Sequence, residues 1–234
     1  LQFTGRAVAG ERFAGDEHER VPSQLLGFAE FAGLAPDAAV LSRDTGHDRP
    51  YGTNPYRGYD RRDGRPFLYD GPVDDRLPQM ERVVGVGTDR PIAVTLDLLR
   101  TDRAVEVTVD GGRVALLWAP GQVSALEARD VDGGREVGQT AALRPVGPFG
   151  ERLTLRPAGP GSFFDTQTRS QWNLHGEAVA GPLAGHRLDP VAHDDTFWFT
   201  WFAFHTDTRL LQAPDGARVT GQEEGRPQPR WFAR

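Results

Sequence analysis

Short apolar runs separated by turn-forming residues dominate the middle of the chain. The runs are mostly β-branched and aliphatic, and Gly, Pro or Asp lies between them, at residues 82–87, 91–96, 104–109 and 113–119. Such runs are typical of β-strands. The Asp-Gly-Gly at residues 110–112 indicates a hairpin turn between the last two. Further strands are predicted at residues 138–144, 151–156 and 167–174.

One helix is predicted to interrupt these strands, at the aromatic segment DDTFWFTWFAFH of residues 194–205. Aromatic propensity alone would also allow a strand. The similar segment SQLLGFAEFAGLA at residues 23–35 is rich in Leu and Ala and contains Glu, which favours a helix in both places. Trp198 and Trp201 then share one buried face of the helix. The predicted fold class is therefore α+β and β-rich.

The sequence WNLHGEAVAG at residues 172–181 nearly repeats LQFTGRAVAG at residues 1–10. Gly5 matches Gly176 at an offset of 171, and the offset then settles at 170. At that offset the matched pairs are Gly15 and Gly185, Val21 and Val191, Phe28 and Trp198, Phe31 and Trp201, Asp37 and Asp207, and Leu41 and Leu211. Chance similarity rarely keeps one offset so long, so two related sheet-dominated modules are predicted.

The offset also predicts how these modules divide the chain. Residues 1–41 are the C-terminal remnant of the first module, residues 42–81 are a connecting strap rich in Arg and Tyr, residues 82–211 are the second module, and residues 212–234 are a C-terminal tail. So short a remnant buries too little surface to fold alone. The chain is therefore expected to be a truncated, C-terminal portion of a longer polypeptide.

Composition excludes several kinds of function. A net charge of −6 argues against a nucleic-acid binder, which needs a basic face. No apolar run is long enough to cross a membrane. The chain contains no Cys, which excludes disulfides, thiolate zinc sites and a cysteine nucleophile. It also contains no Lys, which excludes Schiff-base catalysis by a side chain.

Three stretches together resemble a known family. They are LSRDTGHDRPYGTNPYRGYD at residues 41–60, FDTQTRSQWNLHGEAVAGPLAGHRL at residues 164–188 and FWFTWFAFHTDTRLL at residues 197–211. Their combination is similar to the domain-of-unknown-function family 3179 of bacteria and archaea. The resemblance implies two related halves, no established activity, and an extracytoplasmic location, either secreted or associated with the cell envelope.

The same resemblance bears on metal and redox chemistry. Many members resemble one another in a Cys-Pro-x-Cys-like segment of the upstream half. The comparable place in the second module reads LLWAPGQVSALEAR at residues 116–129, without Cys. The resemblance therefore carries no metal or redox role over to this chain, and no cofactor is predicted.

A polar motif at residues 165–172 is the first candidate binding site. Thr168, Ser170 and Trp172 alternate, so on a strand they share one face, and Asp165 precedes them at a turn. Hydroxyl groups beside an indole could orient a ligand. The alternative is structural: an Asx turn at Asp165, followed by a strand whose hydroxyls bond neighbouring backbone.

Histidines concentrate near the end of the second module, at His175, His186, His193 and His205, with Asp194 and Asp195 among them. Imidazole and carboxylate groups suit zinc or copper. Their spacing matches no metal motif, however, and the first module has Thr4, Ser23 and Ala35 opposite His175, His193 and His205. No metal is therefore predicted to bind these histidines jointly. His205 is expected to end its helix.

The strap holds all four tyrosines of the chain, at positions 51, 56, 59 and 69, with Arg interleaved. One interpretation is structural: the segment is ordered, at least two rings are largely buried, and Tyr56→Ala costs about 3 kcal/mol of stability. The other is a ligand surface, because Tyr rings and Arg side chains are common at binding sites. Its candidate residues are Tyr51, Asn54, Tyr56 and Tyr59.

The function predicted from these observations is an exported binding or scaffold module without demonstrable catalysis. The alternative is an enzyme or metal-binding protein whose site lies between the two modules and needs the upstream half. Residues 1–8 are expected to pair with the second module's sheet or with a separate polypeptide, such as a cleaved upstream half, because an open strand edge needs a partner.

Overall fold

The computed structural model describes Gly5, Ala7, Gly15, Asp16 and residues 18–213. Its strands are β1 (Arg82–Val86), β2 (Ile92–Thr95), β3 (Ala104–Val109), β4 (Gly112–Ala119), β5 (Gln139–Leu143), β6 (Leu155–Gly159), β7 (Ser162–Asp165), β8 (Gln171–Asn173), β9 (Ala178–Ala180), β10 (His193–Phe197) and β11 (Arg209–Leu211). Its α-helices are α1 (Phe28–Leu34), α2 (Leu96–Asp102) and α3 (Trp198–Phe204), with a 3-10 turn at Val131–Gly133. The predicted class, α+β and β-rich, is confirmed.

The strands form three sheets. The first sheet has the order β10-β1-β2-β11, the second β3-β4-β5, and the third β6-β7-β8-β9. Neighbouring strands are antiparallel except β2 and β11, which are parallel. The turn between β3 and β4 is the predicted hairpin, and Asp110 and Gly111 both have positive φ, at 49° and 77°, as a type I′ turn requires.

The sheets stack as layers because both faces of the first two are apolar. On one face of the first sheet, Val84 and Ile92 pack against Leu116 of the second sheet. The opposite face of the second sheet carries Leu117, which packs against Phe163 of the third. Successive side chains of β1 and β2 point to opposite faces of the first sheet. Val83 and Ala93 therefore lie on the face opposite Val84 and Ile92, where they pack against Trp198, Trp201 and Phe202 of α3. The order of layers is therefore α3, first sheet, second sheet, third sheet.

Helix α3 lies directly on β1. A Cβ atom at Gly85 would come within 2.3 Å of the Trp201 ring, so only glycine allows the indole to lie this close to the strand. Trp198 and Trp201 are both buried, as the sequence predicts. The helix begins later than predicted because residues 193–197 form strand β10, which pairs with β1. His205 is the residue that ends the helix.

Several local features of the described N-terminal residues correspond to features 170 or 171 residues later in the chain. Three backbone hydrogen bonds of 2.8–3.0 Å have counterparts. Ala7 N donates to Asp16 O as Ala178 N donates to His186 O, and Gly15 N donates to Ala7 O as Gly185 N donates to Ala178 O. His18 N donates to Gly5 O as Leu188 N donates to Gly176 O. Helices α1 and α3 begin 170 residues apart and have equal length. Their last caps also agree, with φ −135° and ψ 68° at Ala35 and φ −135° and ψ 66° at His205.

The prediction for residues 1–8 falls mostly outside the described residues. Of the part that is described, Ala7 donates to Asp16 O and Gly5 accepts from His18 N. Pairing of this segment with a further sheet or chain stays a prediction.

The strap contains turns but no strand, and it lies along residues 126–129. Asn54 N donates to Arg129 O, Gly58 N to Glu127 O, and Tyr59 N to Leu126 O. Of its tyrosines, Tyr59 and Tyr69 are partly buried, whereas Tyr51 and Tyr56 are exposed, so the exposed Tyr56 is not one of the buried rings that the structural interpretation requires. Backbone hydrogen bonds to residues 126–129 hold the strap in place.

Candidate functional site

The motif at residues 165–172 is a closed polar network. Asp165 lies at the end of β7 and is fully buried, as are Ser170 and Trp172. Its carboxylate accepts hydrogen bonds from the Thr168 backbone and hydroxyl, from Ser170 N (3.1 Å) and from Trp172 Nε1 (3.0 Å). Ser170 Oγ accepts in turn from Leu183 N at 2.9 Å.

Electrostatics agree with a structural role for this network. Burial alone would raise the pKa of the Asp165 carboxyl, but the hydrogen bonds from Thr168, Trp172 and Ser170 outweigh it and hold the pKa below its usual value. A ligand would have to displace these donors to reach Asp165. The geometry therefore favours the Asx-turn interpretation over a ligand-orienting patch.

A second polar cluster joins the strap to Arg82, Ser124 and Arg135. Asp60 has a fully buried carboxylate whose Oδ2 accepts from the Ser124 hydroxyl and lies 3.0 Å from Arg135 Nη2 and 3.4 Å from Arg82 Nη2. Arg82 Nη1 also lies 3.8 Å from Oδ1 of partly buried Asp195, whose pKa is raised by burial. The Ser124 hydroxyl thus donates a hydrogen bond to a buried carboxylate and has no histidine partner in the described part of the chain. The sequence around Ser124 also lacks the glycines of a nucleophile elbow.

Beside this cluster is a cleft of about 340 Å³ lined by charged side chains of both signs, including Arg62, Glu81 and Arg100. Burial raises the pKa of Glu81, and the charge of Arg62 partly opposes that shift. The acids and the guanidinium groups neutralise one another within the cleft. No single sign of charge is therefore presented to a ligand.

A row of aromatic rings runs along the strap and α3. Its successive ring-centre distances are 6.3 Å for Tyr56 and Tyr59, 6.2 Å for Tyr59 and Phe197, 6.2 Å for Phe197 and Phe199, and 5.0 Å for Phe199 and Tyr69. Tyr56, at one end, is 62% exposed. Of the predicted strap residues, the structure brings together Tyr56 and Tyr59, and ligand binding by them stays a prediction.

The other two strap candidates lie elsewhere. Asn54 is buried, and its side chain donates to Ala128 O at 3.0 Å and accepts from Tyr56 N at 2.7 Å. It therefore anchors the strap. The Tyr51 hydroxyl bonds the Thr45 hydroxyl on the surface.

The four histidines do not converge. His175 bonds Gln24 and Glu30, His193 Nδ1 bonds Val191 O, His186 packs edge-on against Trp172, and the His205 ring lies 4.0 Å from that of Trp201. Burial lowers the pKa of His205. Within the described residues, no group of three or more His, Asp or Glu side chains could hold a metal ion.

Exposed large apolar side chains are most frequent at residues 21–41, and sequence reasoning missed this concentration. This N-terminal apolar surface consists of Val21, Leu25, Phe28, Phe31, Leu34, Val40 and Leu41. Phe28 is 68% exposed and Phe31 37% exposed, whereas their counterparts Trp198 and Trp201 are buried. Helix α1 has no buried residue at all.

Hydrogen bonds attach residues 24–30 to Gln139, Thr140 and His175. Gln24 Nε2 donates to Thr140 O at 3.2 Å, and Gln139 Oε1 accepts from Gly27 N at 3.3 Å. His175 lies 2.9 Å from both Gln24 Oε1 and Glu30 Oε1. The segment is thus fixed by polar contacts on one side and presents apolar side chains on the other.

The layered fold and these surfaces define a β-rich α+β protein without a recognisable catalytic centre among its described residues. The chain belongs to the family described as Protein of unknown function (DUF3179), which matches residues 1–208. No curated protein and no solved structure matches it. None of the helices in the described ranges is long and apolar enough to cross a membrane.

Proposed function

We propose that this chain is an exported, non-catalytic scaffold module that binds another polypeptide through its N-terminal apolar surface. The observation that carries the proposal is the concentration of large exposed apolar side chains on residues 21–41. A concentration of large exposed apolar side chains is typical of interaction sites in folded proteins. The extracytoplasmic location rests on the family resemblance, and cell fractionation with an antibody against the chain tests it.

A two-copy architecture supports this proposal. We infer that residues 1–41 and 172–211 are copies of one unit, because their backbone hydrogen bonds, helix lengths and caps correspond at one offset. In one copy the helix is covered by a sheet, and in the other it is exposed. The exposed helix therefore has the shape and apolar face of an element that packs against a β-sheet.

Photochemical cross-linking in the source cells tests the binding function. A benzoylphenylalanine is placed at position 31. The control is a benzoylphenylalanine at position 149, because Phe149 is 92% exposed and does not belong to the N-terminal apolar surface. We expect position 31 to give a discrete adduct whose cross-linked peptide is identified by mass spectrometry. Equal, diffuse labelling from both positions would contradict the proposal.

A second candidate function is favoured by a cavity of about 610 Å³ between the N-terminal segment and the second module. It is lined by polar groups from the second module, among them His175, Arg187, Asp189 and His193. We propose this cavity as the place of the predicted alternative, an enzyme or metal-binding protein whose site lies between the two modules and needs the upstream half. Native mass spectrometry of protein purified from source cells tests it: a bound species that His193→Ala removes supports the site, and an unliganded mass argues against it.

A further inference from the structure

We propose that the N-terminal apolar surface binds a β-hairpin that lies outside residues 1–234 and has the form of the β1–β2 hairpin of this chain. The inference rests on the proposed function and names the partner of the same surface. It is carried by what surrounds helix α3, the counterpart of α1.

Helix α3 is one part of a three-part arrangement. Strand β10 leads directly into α3, and β11 follows soon after it. The β1–β2 hairpin lies between these two strands, since β1 pairs antiparallel with β10 and β2 pairs parallel with β11. Trp198 and Trp201 cover one face of that hairpin. The hairpin is thus bound by two edges and a helix.

All three parts have counterparts beside the N-terminal apolar surface. Residues 23–27 correspond to β10, α1 corresponds to α3, and residues 39–41 correspond to β11. Residues 23–27 and 39–41 are exposed or half-buried and form no strand. Within the described ranges, no backbone group of residues 23–26 or 39–41 bonds another backbone group. Both edges are therefore available for strand pairing.

The geometry specifies the partner. Its first strand would run antiparallel to residues 23–27 and its second parallel to residues 39–41. Gly85 pairs with Asp194, whose counterpart is Gln24, so a small residue is required opposite Gln24, beneath Phe31. The partner's residues on that face must be apolar, as Val83 and Ala93 are.

One difference between the matched segments, Leu25 in place of Asp195, indicates that the hairpin belongs to a layered module. Asp195 pairs with Val84, whose side chain faces the second sheet, and the counterpart of Asp195 is Leu25. Paired residues of neighbouring strands share a face. Leu25 would therefore lie on the side of the hairpin away from α1, where an exposed leucine is best covered by a further apolar layer.

Other occupants fit less well. In a second folded copy of this chain, the β1–β2 hairpin is already covered by its own β10, β11 and α3. The sequence of residues 212–234 is rich in Gly, Pro and charged residues and lacks two apolar runs. A second copy would have to open its own first sheet to supply the hairpin. Residues 212–234 lack the apolar runs that the two strands of a hairpin need.

A cyclic peptide tests the inference with the full chain. The peptide comprises residues 81–97, closed by a disulfide between Glu81→Cys and Asp97→Cys. Val83 pairs with Thr95, so positions 81 and 97 are opposite once the two strands of the peptide continue for two residues beyond that pair, in place of the start of α2. Closure is needed because a lone hairpin is marginally stable in water. A fluorescent label on the turn reports binding by anisotropy.

We expect saturable binding that Phe31→Asp weakens by about tenfold or more. The matched control, Phe149→Asp, changes an equally apolar exposed ring and leaves binding unchanged. A peptide carrying Gly85→Leu is expected not to bind, because its side chain would meet the Phe31 ring. Circular dichroism checks that each variant stays folded, as the exposure of both rings implies.

Two results would overturn the inference. One is no binding of the cyclic peptide, and the other is binding that Phe31→Asp does not weaken. If the chain instead forms dimers that Phe31→Asp abolishes, the occupant is a second copy; the hairpin inference then fails, while polypeptide binding through this surface stands. If cross-linking from position 31 also gives no discrete adduct, the proposed function fails as well.

Discussion

Asp165 shows how a single residue type leaves function open until its surroundings are known. Thr168, Ser170 and Trp172 meet at the Asp165 carboxylate, but only Trp172 lies on a strand, so the turn after Asp165 and not strand alternation brings them together. Sequence alone does not tell whether their polar groups face solvent or one another. The fold buries them together, so their hydrogen bonds are made within the chain.

Asp165→Asn is expected to lower the free energy of unfolding by about 2–4 kcal/mol at neutral pH, because the amide replaces an acceptor that receives several buried donors. The folded-state pKa of Asp165 is lowered, so its contribution is present above the unfolded pKa and is lost as pH falls through the folded value. Urea unfolding at neutral and acidic pH measures both effects.

The matched control for this prediction is Asp63→Asn, since Asp63 is exposed and bonds exposed Arg61. We expect its effect on the free energy of unfolding to be much smaller than that of Asp165→Asn, because solvent screens an exposed ion pair. Equal effects of the two substitutions, or a gap between wild type and Asp165→Asn that widens as pH falls, would contradict the account of the network.

Tyr56→Ala is expected to lower the free energy of unfolding by less than about 1 kcal/mol, since the ring is mostly exposed. Tyr59→Ala is expected to cost more, because its ring contacts both Tyr56 and Phe197. Urea unfolding of both variants measures the difference. A cost near 3 kcal/mol for Tyr56 would restore the interpretation as a buried clamp.

At the scale of elements, α1 and α3 have the same length and the same last cap, but α1 is exposed and α3 is buried against the first sheet. Equal length and equal last caps follow from the matched sequence, because local residues decide where a short helix begins and ends. Burial depends on which sheet lies beside the helix. The repeat could therefore predict α1, but it could not predict that Phe28 and Phe31 are exposed.

This contrast makes a prediction for matched truncations. Trp201→Ala removes a buried ring packed on Gly85 and is expected to cost about 3–5 kcal/mol of unfolding free energy. Phe31→Ala, at the corresponding position, is expected to cost less than about 1 kcal/mol in the isolated chain. Thermal and urea unfolding of both variants measure this. Similar costs would show that α1 is already packed.

The predictability of the other elements follows their sequence patterns. Runs of apolar and β-branched residues correctly predict β1 to β5, and Asp110-Gly111 predicts the turn. The sequence pattern does not predict helix α2, because its leucines continue the apolar run of β2. The signal that indicates this helix is its N-cap residue Thr95, whose hydroxyl accepts a hydrogen bond from Leu98 N. The third sheet is predicted poorly, since its strands are three to five residues long and β6 contains both Pro157 and Gly159.

At the scale of the whole molecule, the chain is a stack of α3 and three sheets with the N-terminal segment fixed to its side. The stacking follows from sheets that are apolar on both faces. The position of residues 21–41 depends instead on long-range polar contacts, such as that of Arg20 with Asp194 at 2.6 Å. Such contacts leave no pattern in the sequence, so the N-terminal apolar surface becomes visible only in three dimensions.

The central claim is that this surface binds a β-hairpin by strand pairing on both of its edges. Hydrogen exchange of the full chain, with and without the cyclic peptide of residues 81–97, tests it most directly. We predict that amides of residues 23–26 and 39–41 exchange slower by about tenfold or more when the peptide is bound, while those of the strap are unchanged. Unchanged exchange at both edges, with the peptide at saturation, would contradict the claim.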